Sequence, residues 1–147
     1  MTETNQPFIV VGADGSALSV QSLRWAADQA RLTDALVVVV TAWETPLTIW
    51  IVPTWTEEDY EREAEAVLKR TVAEALGEEP DVPLELRLVR HRPAQALAEA
   101  AEGAALLVVG SHGRGELPGM HLGSVAGYCV HHAPCPVLVF RGEHTGR

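Results

Sequence analysis

Cysteine is scarce in this chain of 147 residues: Cys129 and Cys135 are the whole complement, too few for a disulfide framework. No redox role is assigned to them. Basic residues are short as well, 11 against 20 acidic ones, and the formal net charge of −9 is the wrong sign for a protein that tracks a nucleic-acid backbone. Long apolar runs are missing. The longest, Ala35 to Val40 and Ala104 to Val109, cannot span a bilayer, and the opening MTETNQPF lacks the basic start and apolar core of a signal peptide. The expectation is a cytoplasmic protein with neither a nucleic acid nor a membrane as partner. Catalytic signatures are absent too: the chain has no GxxxxGK[ST], no GxSxG and no HExxH. Ser111 beside His112 is the one candidate nucleophile pair, and sequence neighbours seldom align for proton transfer, so no catalytic residue is assigned. His121, Cys129, His131, His132 and Cys135 fit no common zinc spacing, and no metal site is assigned.

What remains is an ordinary globular composition, 47% hydrophobic and 21% charged. One domain over residues 1–147 is expected, and a chain of this length buries roughly 70% of the surface its unfolded form exposes. Phe8 to Val11 is a continuous apolar run ending at Gly12, the pattern of a strand buried on both faces. Asp14 or Ser16 can cap the next segment, where Leu23, Ala26, Ala27 and Ala30 share a helical face that ends near Thr33 and Asp34. Ala35 to Thr41 is a second strand, and Trp43 to Trp55 an irregular loop rich in tryptophan and proline. Thr56 to Asp59 opens a helix with a capping-box variant, and Gly77 closes it. Leu84, Leu86, Leu88 and His91 alternate with Glu85, Arg87, Val89 and Arg90, which suggests an edge strand with one wet face. Pro93 starts a third helix whose Leu97, Ala100, Ala101 and Ala104 form a small-residue face. The fourth and fifth strands are Ala105 to Val109 and Pro134 to Phe140. Alternating strands and helices imply an α/β fold with a mainly parallel sheet, whose ligands bind beyond the carboxyl ends of the strands.

The chain is organised around Val108 to Phe140, where a strand runs into a glycine-rich loop, a helix and a second strand. The glycines fall as Gly110, two residues, Gly113, nine residues, then Gly123 and Ser124. Glycine where a strand ends lets a ligand approach the main chain. Leu122, Val125, Ala126, Cys129 and Val130 recur at helical spacing, so unpaired N–H groups of a helix start face the same place and favour an anion. These two amide clusters make a candidate clamp for the phosphates of a nucleotide.

This stretch resembles the universal stress protein family, whose nucleotide-binding members carry the same glycine spacing followed by serine or threonine. IVVGADGS at Ile9 to Ser16 resembles the family's first strand and aspartate turn, and HHAPCPVLVFR at His131 to Arg141 its last strand. The resemblance implies an open five-stranded Rossmann-like sheet of the adenine nucleotide alpha hydrolase kind, in the order 3-2-1-4-5. Carried over by position, it implies that Gly12, Ala13, Asp14 and Ala42 hold the adenosine end. Val109, Gly110, Ser111, His112, Gly113, Arg114, Gly123, Ser124 and Val125 then surround ribose and phosphates. The implied ligand is ATP, with ADP or AMP as alternatives and Mg²⁺ carried by the phosphates. His91-Arg92-Pro93 lacks the glycine usual in relatives, and His112 stands where relatives often carry arginine. The expected function is a nucleotide-dependent stress-response protein. The alternatives are an interaction protein with a vestigial pocket and a slow ATP hydrolase. The apolar last strand, Val137 to Phe140, implies a homodimer by edge pairing, as the resemblance also does.

Overall fold

The computed structural model describes residues 5–46, 55–113 and 122–142. Its elements follow one another as β1 (Phe8–Gly12), α1 (Ala17–Thr33), β2 (Leu36–Trp43), α2 (Glu57–Leu76), β3 (Leu84–Arg90), α3 (Pro93–Ala100), β4 (Leu106–Gly110), α4 (Ser124–His132) and β5 (Val137–Phe140). The five strands form one sheet in the order β3-β2-β1-β4-β5, and every pairing is parallel.

Side chains alternate between the faces of a strand, and both faces of this sheet are covered, which is why its centre reads as unbroken valine rather than as an alternating pattern. Ile9, Val11, Val37 and Val39 pack with Leu23, Ala26 and Ala27 of α1 and Leu68 and Val72 of α2. Val10, Val38, Val40, Leu107 and Val109 pack on the other side with Leu97 of α3 and Ala126 and Cys129 of α4. The sheet thus separates two cores.

Local chemistry sets the helix ends. Ser16 is the cap of α1, its side chain accepting from the Ser19 N–H, while Asp14 Oδ1 accepts from the Ser16 N–H at 2.9 Å and its hydroxyl at 2.6 Å. The turn passes through Gly15 at φ 86°, a left-handed angle that glycine takes without strain. Thr56 and Asp59 form the reciprocal capping box of α2. The last carbonyls of that helix accept from Arg24 of α1, which donates to Glu74 and Ala75 at 3.1 and 3.4 Å. Pro93 opens α3 at its first turn, where a missing N–H is harmless.

Several expectations need adjustment. Trp43 belongs to β2, where the Arg90 guanidinium lies 5.3 Å from its ring, so the irregular stretch begins after it, and residues 47–54 lie outside the described residues. The edge position of β3 holds but its alternation is imperfect: Leu84 and Leu88 pack against the core while Leu86 is 43% exposed, because an edge strand is covered only in part. On α4, Leu122 precedes the helix and Val130 points outward, leaving Ala126 and Cys129 as its buried face.

Candidate functional site

Strand lengths make the site. β1 and β2 run side by side until Gly12 meets Val40, and β2 then continues for Thr41, Ala42 and Trp43 with no strand on its β1 side. Leu36 N–H bonds Pro7 O and Val40 O accepts from Ala13 N–H, whereas Val37 N–H bonds Pro83 O and Trp43 O accepts from His91 N–H. Even-numbered residues of β2 therefore aim their backbone groups at β1 and odd-numbered ones at β3. Ala42, the next even residue, turns its N–H and C=O into the space beyond Gly12. The floor there is fixed: Ala13 donates to Val40 O at 2.9 Å and its carbonyl accepts from the buried Thr41 hydroxyl at 2.7 Å.

A cavity of about 330 Å³ opens at this place. Of the residues expected at the adenosine end, Gly12, Ala13, Asp14 and Ala42 all line it. From the glycine loop and the start of α4 it takes Val109, Gly110, His112, Gly113, Ser124 and Val125. Asp14 is exposed at the rim, with one carboxylate oxygen engaged in the turn before α1.

Two expected positions, Ser111 and Gly123, do not line the cavity. Ser111 is 7% exposed and does not line the cavity; its N–H donates to Phe140 O at 2.8 Å and its carbonyl accepts from Gly123 N–H at 2.7 Å. Ser111 and Gly123 therefore join β4, β5 and the start of α4, and position the pocket wall from behind. Arg114 lies outside the described residues.

The loop is tight. A Cβ added to Gly110 would come within 3.2 Å of the His112 carbonyl oxygen and of Leu18 Cβ, so glycine is needed for the close approach of two backbones. A Cβ on Gly12 would meet Leu97 Cδ1 at 2.9 Å. Leu97 and Pro93 of α3, with Val40 and Ala126, form apolar wall that sequence reasoning missed, as it missed Ser16 and Ser19. No motif marks them. The start of α3 reaches this place because it follows the carboxyl end of the parallel strand β3.

Three helix starts, those of α1, α3 and α4, border the cavity, and none carries an acidic residue in its first turn, whereas α2, which stands away from it, carries Glu57, Glu58 and Asp59 there. Positive helix ends without acids form an environment for an anion despite the acidic whole. Nδ1 of His112 is shut off from solvent and has no hydrogen-bond partner among the described residues. Cys129 is fully buried on α4, and burial, with Cys135 nearby, pushes its thiol up to about 11, so it is no nucleophile at neutral pH.

The universal stress protein family model matches residues 8–141. A universal stress protein of Mycobacterium tuberculosis is 39% identical over 139 residues, which cover 90% of this chain and 43% of that protein. A second from the same organism is 34% identical over 146 residues, 99% of this chain and 48% of its own. The chain spans less than half the length of these curated relatives. Among solved structures, a universal stress protein from Archaeoglobus fulgidus in complex with dAMP is similar at a TM-score of 0.67 and 25% identity, covering 92% of this chain and 98% of that one. A universal stress protein in complex with cAMP is similar at a TM-score of 0.71 and 25% identity, covering 95% and 100%. With the fold, the glycine loop and these matches together, the chain belongs to the universal stress protein family.

Proposed function

We infer that this protein binds an adenine nucleotide at the carboxyl end of its sheet and acts by occupancy, as a cytoplasmic stress-response regulator. One observation carries the reading: the overhanging backbone of Ala42, the glycine loop and the start of α4 meet round a single cavity. Ala42 offers a carbonyl that accepts from the adenine amino group and an N–H that donates to the neighbouring ring nitrogen. Gly113 and the first turn of α4 offer amides to phosphate oxygens. The dAMP and cAMP held by two neighbours support the same ligand class.

ATP is the proposed ligand, with ADP and AMP as alternatives. Mg²⁺ bound to the phosphates keeps most of its waters and needs no cage of protein carboxylates; Asp14, at the rim, is the carboxylate of the lining. The occupied and empty forms must differ in stability, assembly or partner choice, since a ligand shifts such a balance only by its differential affinity. Assembly is proposed as a homodimer through β5, the outer strand of the sheet, which pairs with β4 on one side only.

Calorimetric titration of nucleotide-stripped protein with ATP and Mg²⁺, beside Gly113→Ala, tests the reading. Micromolar binding, about −8 kcal/mol, that is lost in the variant is expected. Equal heats in both proteins, or none in either, would refute the site.

A further inference from the structure

β3 is the second outer strand of the sheet. It pairs with β2 on one side only, and the helices beside it sit inward, α3 on β1 and β2 and α2 chiefly on β2. Pro83 O and His91 N–H are bonded to β2, so the odd-numbered residues between them aim their backbone groups inward. Leu84, Leu86, Leu88 and Arg90 aim theirs away from the sheet. Such a row is a template for a further strand.

The sequence of this edge says which strand. Leu84-Glu85-Leu86-Arg87-Leu88 reads the same in both directions once each charge is exchanged for its opposite. Two copies laid antiparallel about a twofold axis at Leu86 therefore set Leu84 against Leu88, Leu86 against Leu86, and Glu85 against Arg87. The leucines carry the outward backbone groups, so each opposed leucine pair exchanges both of its N–H···O bonds. Glu85 and Arg87 fall at the closer, non-hydrogen-bonded positions, where side chains meet. Moving the axis by one residue puts Glu85 against Glu85 or Arg87 against Arg87. Charge thus selects one register.

The side chains suit that pairing. Glu85 Oε2 accepts from Arg87 Nε at 2.6 Å, with the two side chains 44% and 42% exposed. That bond uses Nε and leaves the terminal nitrogens of the guanidinium for a facing carboxylate. Leu86, 43% exposed, gains cover from its counterpart.

We propose that β3 is a self-recognition edge, through which two copies of this chain pair antiparallel over Leu84 to Leu88 about a twofold axis at Leu86. The contact is one strand wide, so it belongs to the small, transient class and forms between about 10 µM and about 1 mM. β3 and β5 stand at opposite edges, so one copy can engage both, and assemblies larger than the β5 pair result at high concentration. No residue of β3 lines the cavity, so the pairing is independent of the nucleotide reading.

Sedimentation equilibrium of the full chain up to about 1 mM tests it, in wild type and in Val139→Pro, which blocks the β5 edge. Glu85→Arg sets like charges against each other on both sides of the axis, and so does Arg87→Glu. Each should weaken the association at least about tenfold. An equimolar mixture of the two variants opposes unlike charges again and should recover the wild-type association within about threefold, although neither strand regains its internal ion pair. The double variant Glu85→Arg with Arg87→Glu should recover it alone. Leu86→Pro removes an outward N–H that β2 does not use and should abolish the association. A Val139→Pro chain that stays monomeric at about 1 mM would overturn the proposal. So would association unchanged by either reversal or by Leu86→Pro, or a mixture no better than its separate components.

Discussion

Exchanging AMP for IMP alters two atoms at the edge of the base and nothing else, and those are the atoms that face Ala42 in the proposed pose. Adenine presents an amino donor next to a ring-nitrogen acceptor. Hypoxanthine presents a carbonyl acceptor next to a ring N–H donor. Ala42 turns its own C=O and N–H to this place because β2 outruns β1 by Thr41, Ala42 and Trp43. Against AMP both groups are paired; against IMP, oxygen meets oxygen and N–H meets N–H. A buried polar group left unpaired costs about 1–3 kcal/mol, so the two together amount to about 2–6 kcal/mol. At about 1.4 kcal/mol per tenfold, IMP should bind from about 30-fold to more than about a thousandfold more weakly.

The monophosphate of purine riboside is the intermediate case. It keeps the ring acceptor and lacks the amino group, so only the Ala42 carbonyl is orphaned, at a cost of about 1–3 kcal/mol. Calorimetric competition against AMP ranks all three ligands on one protein, free of any mutation that disturbs the fold. The order AMP, purine riboside monophosphate, IMP is expected. AMP and IMP within about threefold of one another would show that the base edge does not meet a strand backbone, and the assignment of Ala42 would fall.

Four further expectations follow from the packing and the edges. Gly12→Ala drives a Cβ into Leu97 Cδ1, so it should destabilise by about 1–3 kcal/mol, and adding Leu97→Ala should give a double variant more stable than the sum of the single effects in urea melts. Leu107 N–H bonds Pro136 O and Ser111 N–H bonds Phe140 O, so Val137 and Val139 of β5 aim their backbone groups outward; Val139→Pro should leave the β4 ladder intact yet shift light-scattering mass from dimer to monomer, and an unchanged mass would refute pairing through this edge. Burial raises the Cys129 thiol from 9.0 to about 11, so the folded form holds its proton more tightly than the unfolded one. The associated stability is complete below about pH 9 and lost as pH climbs toward about 11, by up to roughly 3 kcal/mol, a slope that Cys129→Ala should flatten in denaturation measured from pH 8 to 11. Thr56→Ala removes the α2 cap and should lower stability by about 1 kcal/mol while AMP affinity, measured beside it, stays unchanged, since α2 stands away from the cavity.

Much of this was legible beforehand, for reasons that can be named. Val37 to Val40 reads as a strand covered on both faces because no polar residue interrupts it, and Thr56 with Asp59 reads as a cap because the box needs that spacing alone. Gly110, Gly113 and Gly123 with Ser124 are local in sequence, so their spacing survives without a structure. Leu97 and Pro93 were not legible as pocket wall, because their place depends on how far α3 slides along the sheet, a tertiary quantity with no local signature. Ser111 was named from the glycine spacing alone, and spacing does not tell that its backbone is tied to β5 and to the start of α4. The outward aim of Val130 likewise depends on which stripe of α4 the sheet accepts.

The pocket therefore owes its shape to where strands stop. β1 ends at Gly12 and β4 at Gly110, while the strand between β1 and β3 continues to Trp43. That continuation is secured on its far side: His91 N–H bonds Trp43 O, and Arg90 lies over the Trp43 ring and pairs with Glu57 at 3.0 Å. An overhanging strand held from behind and open in front is an unfinished ladder, and a planar heterocycle with adjacent donor and acceptor completes it as the next strand would. On the other side of β1, helix starts without acids suit an oxyanion. In the proposed pose, base and phosphate lie on either side of the end of β1, and the distance between the two chemistries is set by the sheet itself. A side-chain substitution can weaken either end, but only a change in strand length or register can alter the span, which makes the span the most robust property of the site.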